Sequence, residues 1–245
     1  KGRVTAADGS PIDLAGRRAV VTVVGSSDGT DRPPPSGVVG PDGRYAIKLD
    51  PGPYLWPTGV IEFSFNTFQY RLPLTPARPA PTDQPFGEAR AGIVRDFRWA
   101  LNGPREGQAD QPESPTSWIG GTVYLKYTIE KEPNRSTRPP PAGTVAVLVA
   151  TPKGKLADGS TGKPVTFERQ FDESRSLLRS PYLFDVPLGV YEVTGYERFP
   201  DGRTGPYVFF QRDGKWADSV EVTFLPDVPS AAVKPASVTF ARKVD

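Results

Sequence analysis

Apolar and polar residues alternate along most of the chain with a period of two. In residues 60–74, VIEFSFNTFQYRLPL, Ile61, Phe63 and Phe65 fall on one side and Glu62, Ser64 and Asn66 on the other. Successive side chains of a strand point to opposite faces, so this pattern predicts a half-buried strand. Phe68, Tyr70 and Leu72 then form a second alternating set, with a turn expected at Asn66-Thr67. Residues 120–130, GGTVYLKYTIE, set Val123, Leu125, Tyr127 and Ile129 against Tyr124, Lys126, Thr128 and Glu130. Further strands are expected at 17–25, 45–49, 92–101, 143–154, 182–196, 207–210, 218–225 and 236–243. Residues 167–179 read either as one short helix, with Phe167, Phe171 and Leu178 on one face, or as a strand and a loop between Pro164 and Pro181.

The punctuation agrees. Asp-Gly occurs at 8, 28, 42, 158, 201 and 213. This pair tolerates the positive φ of tight turns and marks hairpin tips. None of the six has the alternating acids and distal Glu of a calcium loop. Residues 75–91 and 102–117 are rich in Pro and polar residues and lack apolar periodicity. The second stretch reads as an interdomain linker.

One pattern appears twice. Tyr45, Ile47, Leu49, Gly52 and Tyr54 align without a gap on Tyr182, Phe184, Val186, Gly189 and Tyr191. In each, three inward side chains end a strand, a break containing Pro follows, and Gly at positive φ leads into a Tyr whose hydroxyl reaches the rim. Similar strand inventories surround both. This predicts an all-β chain of two domains, 1–101 and 118–245, joined by the linker 102–117.

The first copy resembles a carboxypeptidase regulatory-like domain of transthyretin (prealbumin) type. The matching positions are Gly2, Val4, Gly9, Pro11, Val21, Val23, Asp42, Gly43, Tyr45, Pro51, Gly52 and Tyr54. In the second copy they are Gly121, Val123, Val147, Val149, Tyr182, Gly189 and Tyr191. That copy has about eighteen more residues before its tyrosine and lacks the Asp-Gly there. The resemblance implies two immunoglobulin-like or prealbumin-like β-sandwiches in tandem, about seven strands each. It also implies a non-catalytic module that accompanies a peptidase, receptor or surface protein. The histidines on which the hydrolase branch of that fold relies are absent here.

Composition narrows the chemistry. The 245 residues contain no His, Cys or Met. Disulfides, thiolate nucleophiles and zinc–cysteine sites are excluded, as are imidazole bases and ligands. The lack of an initiator Met leads to the expectation of a processed chain, with a signal or anchor lost from its start. Avoidance of Cys and Met suits an oxidising exterior. Drift in a GC-rich genome explains it as well, since Arg outnumbers Lys 20 to 10. Net charge is +2, and the halves are separately balanced, with 13 basic and 12 acidic residues up to Asp110 and 17 and 16 after it. Nucleic acid is therefore not an expected partner. No apolar run is long enough to span a bilayer.

The expected protein is not an enzyme and has no metal or cofactor. It is a structural or protein-binding component of a bacterial cell envelope, extracytoplasmic, with an envelope or surface protein as partner. The alternative is a carbohydrate-binding module that uses exposed aromatic rings on a polysaccharide. Trp56, Trp99, Trp118, Trp216, Tyr54, Tyr70 and Tyr124 are the aromatics from which a stacking platform for sugars could be built. Trp99 and Trp56 lie in phase with core positions. Trp118 and Trp216, at strand edges, are the candidate ligand contacts. DRPPPSG (31–37) and TRPPPAG (137–143) are expected as stiff polyproline II edges that shield a sheet.

Overall fold

The computed structural model describes all residues except 24–32, 51–53, 55, 79–92, 107, 109–110, 112, 130–138, 173–176, 228–231 and 244–245. The chain is all-β and divides into two compact units, Lys1–Ile119 with Pro226–Ala232, and Gly120–Leu225 with Val233–Asp245.

The first unit contains β1 (Gly2–Ala6), β2 (Arg17–Thr22), β3 (Ser36–Val38), β4 (Arg44–Tyr45), β5 (Thr58–Phe65), β6 (Phe68–Pro73), β7 (Thr75–Pro76) and β8 (Phe97–Trp99). One layer runs β4-β1-β8-β7 and the other β3-β2-β5-β6. Val4, Ala19, Val21, Ile61, Phe63, Tyr70, Leu72, Phe97 and Trp99 fill the space between them. Trp99 is core as expected. Its ring lies 5.4 Å from Phe63 across the layers, with the Arg17 guanidinium 4.6 Å above it. β6 and β7 are nearly one strand. It pairs with β5, passes Leu74, and pairs with β8 in the other layer.

The second unit contains β9 (Gly121–Tyr127), β10 (Val145–Pro152), β11 (Val165–Gln170), β12 (Tyr182–Val186), β13 (Val190–Arg198), β14 (Thr204–Phe210), β15 (Trp216–Ala217) and β16 (Val220–Thr223). A short pair, β17 (Pro226–Asp227) and β18 (Ala232–Val233), precedes the last strand, β19 (Ala236–Arg242), with Pro226, Asp227 and Ala232 grouped with the first unit. The front layer runs β12-β9-β19-β14-β15. The back layer is β11-β10-β13, with β14 and β16 along β13. Residues 204–206 of β14 pair with β13, and 207–209 pair with β19, so this strand also changes layer midway.

The pairing scheme therefore occurs twice. β1 pairs antiparallel with β4 and parallel with β8, as β9 does with β12 and β19. β2 lies between β3 and β5 as β10 lies between β11 and β13.

The turns are equally regular. Gly9, Gly43, Gly159, Gly202 and Gly214 all have φ between 77° and 90°. The preceding Asp accepts from the N–H two residues on in each case, at 2.9–3.1 Å. Each loop is a turn closed by a left-handed glycine, the three-residue hairpin connection. Asp28-Gly29 lies outside the described residues. Asn66 (φ 46°) and Thr67 (φ 68°) form the expected two-residue turn of the β5–β6 hairpin.

Several expectations change. Tyr45 and Tyr182 do occupy correspondingly paired strands, but on opposite faces. Tyr45 is buried opposite Gly2, and its hydroxyl donates to the Arg95 carbonyl. Opposite Gly121, the counterpart of Gly2, stands Val186. β12 is longer than β4 and carries a bulge before Val186, with Asp185 at φ 61°. Leu183 and Val186 therefore point inward, and Tyr182 and Phe184 do not.

The second half of the aligned pattern corresponds closely. Tyr54 donates to the Asp50 carbonyl at 2.9 Å and Tyr191 to the Pro187 carbonyl at 2.7 Å, each four residues upstream. This is the local bond of a tyrosine corner. Burial pushes the Tyr191 hydroxyl up to about 12. Gly189 is needed for clearance and not for positive φ, because a Cβ there would lie 2.8 Å from Leu156 and 3.2 Å from the Tyr191 ring. Gly52 lies outside the described residues.

Residues 167–179 take the strand reading. β11 runs through Gln170, and Phe171 bridges Leu178. The stretch 102–117, expected as a linker, is tied into the first unit, and the division falls after Ile119. Pro104 bridges Trp118, the Arg105 side chain donates to the Trp118 carbonyl at 2.8 Å, and Leu101, Ser117 and Ile119 are buried. Of the 92–101 run, Phe97–Trp99 is strand. The described part of the first Arg-Pro-Pro-Pro segment leads into the edge strand β3, and that of the second into the turn before β10.

Two measurements test this fold. Tyr45→Ala should cost about 3 kcal/mol in urea denaturation, as for other buried aromatics, whereas Tyr182→Ala should cost under about 1 kcal/mol. Equal losses would restore the gapless alignment. Thr67→Gly should stabilise by about 1 kcal/mol, because a β-branched residue is costly at φ 68°.

Candidate functional site

The front layer of the second unit has one face toward the core and one toward water. Along β9, Val123, Leu125 and Tyr127 are buried while Tyr124 and Lys126 are exposed. On β19, Val238 and Phe240 point inward, which leaves Ser237 opposite Tyr124 and Thr239 opposite Lys126 on the outer face. On β12, Tyr182 stands opposite Tyr124. The ring centroids of Tyr124 and Tyr182 are 5.3 Å apart. Those of Tyr182 and Phe184 are 5.5 Å apart and nearly parallel.

The other end of the layer matches. Phe209 pairs with Phe240, so the next rung sets Phe210 level with Thr239. Phe210 pairs with Trp216 of β15, their rings 5.3 Å apart. An aromatic band thus crosses the outer face from Phe184, Tyr182 and Tyr124, past Lys126 and Thr239, to Phe210 and Trp216. At the usual strand spacing of nearly 5 Å it is about 19 Å across. Tyr124 is 38% exposed and Phe210 43% exposed. Among the described residues they are two of the three aromatics with this much exposure, the third being Phe68.

Three features hold the band in place. The Asp185 bulge turns Phe184 outward, and the Asp185 carboxylate accepts from the Gly120 N–H at 3.3 Å. Arg169 of β11 donates to the Tyr182 carbonyl at 2.9 Å, tying the edge strand β12 to the back layer. The hairpin at Asp213-Gly214 returns the chain so that Trp216 meets Phe210.

Behind this layer lies a buried ion pair. Glu197 of β13 is fully buried and Arg242 of β19 partly so. The Arg242 guanidinium contacts both carboxylate oxygens, one through a 3.0 Å hydrogen bond, and lies 5.5 Å from the Phe199 ring centroid. The pair spans the point where β14 changes layer, since Gly205 pairs with Glu197 and Tyr207 with Arg242. The hydroxyls of Tyr127 and Tyr207 lie buried nearby with no hydrogen-bond partner among the described residues. Burial pushes the Glu197 carboxyl above the usual carboxylate range, and Arg242 opposes that shift. Burial pushes the Tyr127 hydroxyl up to about 12.

Of the two tryptophans singled out in the sequence, Trp216 joins the band. Trp118 is half-buried in the first unit, bridged to Pro104, and is not on the face that carries the band. Trp56 is half-buried with the Arg95 guanidinium 5.4 Å from its ring, and Tyr70 is core against Phe63. Tyr182, Phe184 and Phe210 are band residues that the sequence pattern does not single out. The outward phase of Tyr124 against Val123 and Leu125 was the available signal. Among the described residues no cluster of His, Cys, Asp or Glu could hold a metal ion, and no helix is long and apolar enough to cross a membrane. No family model matches the chain, and neither a curated protein nor a solved structure matches it.

The raised Glu197 fixes the sign of a pH effect. Its unfolded value is about 4.3, so the stability it contributes is present below that pH and is lost as pH rises through the folded value. In denaturant titrations from pH 4 to 8, the stability of wild type minus that of Glu197→Gln should fall with rising pH and then level off. A flat difference would remove the claim.

Proposed function

We propose that this chain is a non-enzymatic, extracytoplasmic protein of a bacterial cell envelope, built from two prealbumin-like β-sandwiches in tandem. It works by holding an envelope partner, and the outer face of the second unit is its binding surface. The recurring pairing scheme and the two tyrosine bonds support the tandem reading. The absence of His and Cys removes the commonest catalytic bases and thiol nucleophiles, and the absence of Cys and Met suits an oxidising exterior.

The aromatic band carries the functional reading. Keeping Tyr124 and Phe210 in water forgoes the stabilisation that burying them would bring, roughly 25 cal/mol per Å². Exposed aromatic rings gathered at both ends of one sheet face mark a surface that is covered in use. A structural role alone would be served by a polar face. Serine, threonine and lysine among the rings favour the second partner class, a polysaccharide, over a surface protein.

Sedimentation with isolated envelope fragments of the source cell tests this. Wild type should be depleted from solution. Tyr124→Ala and Phe210→Ala should each weaken depletion about tenfold, which corresponds to 1.4 kcal/mol. Phe68→Ala, in the first unit, should leave it unchanged. Equal depletion of all four proteins would remove the band from the function.

A further inference from the structure

We infer that the aromatic band takes an acidic polysaccharide, a chain of pyranose units bearing carboxylates, laid across β12, β9, β19, β14 and β15. This rests on the reading of the face as a binding surface and adds the chemistry of its occupant.

Three lysines of the same unit have carboxylate partners, Lys153 with Glu221 at 2.7 Å, Lys215 with Asp213 at 3.6 Å and Lys243 with Asp218 at 2.9 Å, while the exposed Lys155, Lys163 and Lys234 have none among the described residues and lie away from the band. Lys126 is exposed and has no carboxylate partner among the described residues. It stands in the middle of the band, two residues from Tyr124 and opposite Thr239. A lone cation between aromatic ends calls for an anion on an otherwise uncharged, ring-bearing ligand.

The rest of the face says which ligand. A pyranose has a flat C–H face that stacks on the electron-rich face of an aromatic ring, and a periphery of hydroxyls. The band supplies rings at both ends and the hydroxyls of Ser237 and Thr239 between them. A width of about 19 Å accommodates a chain and not a single sugar.

The competing polymers fit less well. Cores of protein interfaces are depleted of charge, whereas here the cation is central. Single-stranded nucleic acid stacks on aromatics too, but brings a phosphate with every base and needs a groove of several cations. The band offers one, in a chain half with 17 basic and 16 acidic residues.

The test is calorimetric titration at low salt with polygalacturonate, alginate and hyaluronan. Methyl-esterified polygalacturonate, neutral amylose and oligo-dT serve as comparisons. At least one acidic polymer should bind. Where polygalacturonate binds, esterification should weaken it at least tenfold. Lys126→Gln should weaken the acidic polymer by a similar factor and leave any affinity for neutral glycan unchanged. Tyr124→Ala and Phe210→Ala should reduce both. Near-UV circular dichroism of each variant checks that the surface substitutions leave the fold intact. The inference is overturned by equal binding of acid and ester, by tighter binding of oligo-dT, or by no binding of any acidic polymer. If envelope sedimentation still depends on Tyr124 and Phe210 while all three acidic polymers fail, the occupant is wrong and the binding surface stands. If that dependence is also absent, both fall.

Discussion

Each unit is closed by a parallel pair between its first and last strands, β1 with β8 and β9 with β19. These strands are far apart in sequence, so neither pair can form until the intervening chain has folded back. The pairing sets which side of each strand faces the core, because a slip of one residue would exchange the faces. With Leu125 opposite Val238 and Tyr127 opposite Phe240, the inner face is apolar along these rungs. Tyr124, Lys126, Ser237 and Thr239 are left together outside. The proposed binding face is the reverse side of the contact that closes the unit.

The strand that changes layer is the second constraint. In the first unit it turns at Leu74, a buried apolar residue whose N–H donates to the Gly59 carbonyl. In the second unit the same crossing brings Glu197 and Arg242 together. A buried ion pair recovers in attraction little more than its charges lose in hydration, so it is weak evidence for added stability. Its geometric effect is clearer. It joins a back-layer strand to a front-layer strand on either side of β14 and fixes the rung at which β14 leaves one for the other. Phe210, at the end of β14, owes its outward position to that rung.

The face is held stiffly without being filled. Its strands are paired across the layer, its edge is tied by Arg169, and its bulge is braced by Asp185 and Gly120. Little ordering is then left to occur when a partner arrives, and loss of freedom is a large part of the cost of binding.

The sequence alone marked the longer strands, the hairpin tips and the two tyrosines whose hydroxyls stay at the rim. Each depends on residues a few positions apart: the period of two in 60–74, Asp before Gly at the turns, and a Tyr four residues after the carbonyl it reaches. It also marked Tyr124 as outward and Trp216 as a candidate contact, since their neighbours settle their phase. The face of β12 was not legible, because in YLFDV both alternating sets begin with large apolar residues. Only the partner β9 and the bulge at Asp185 decide between them. Nor could local pattern show that 102–117 belongs to the first unit, since its order comes from a bridge and carbonyl bonds and not from apolar periodicity. The Glu197–Arg242 pair and the meeting of Tyr124 with Phe210 across β19 are decisions of the tertiary structure. They join residues separated by 45 and 86 positions, and nothing in the local chemistry of either segment specifies the other.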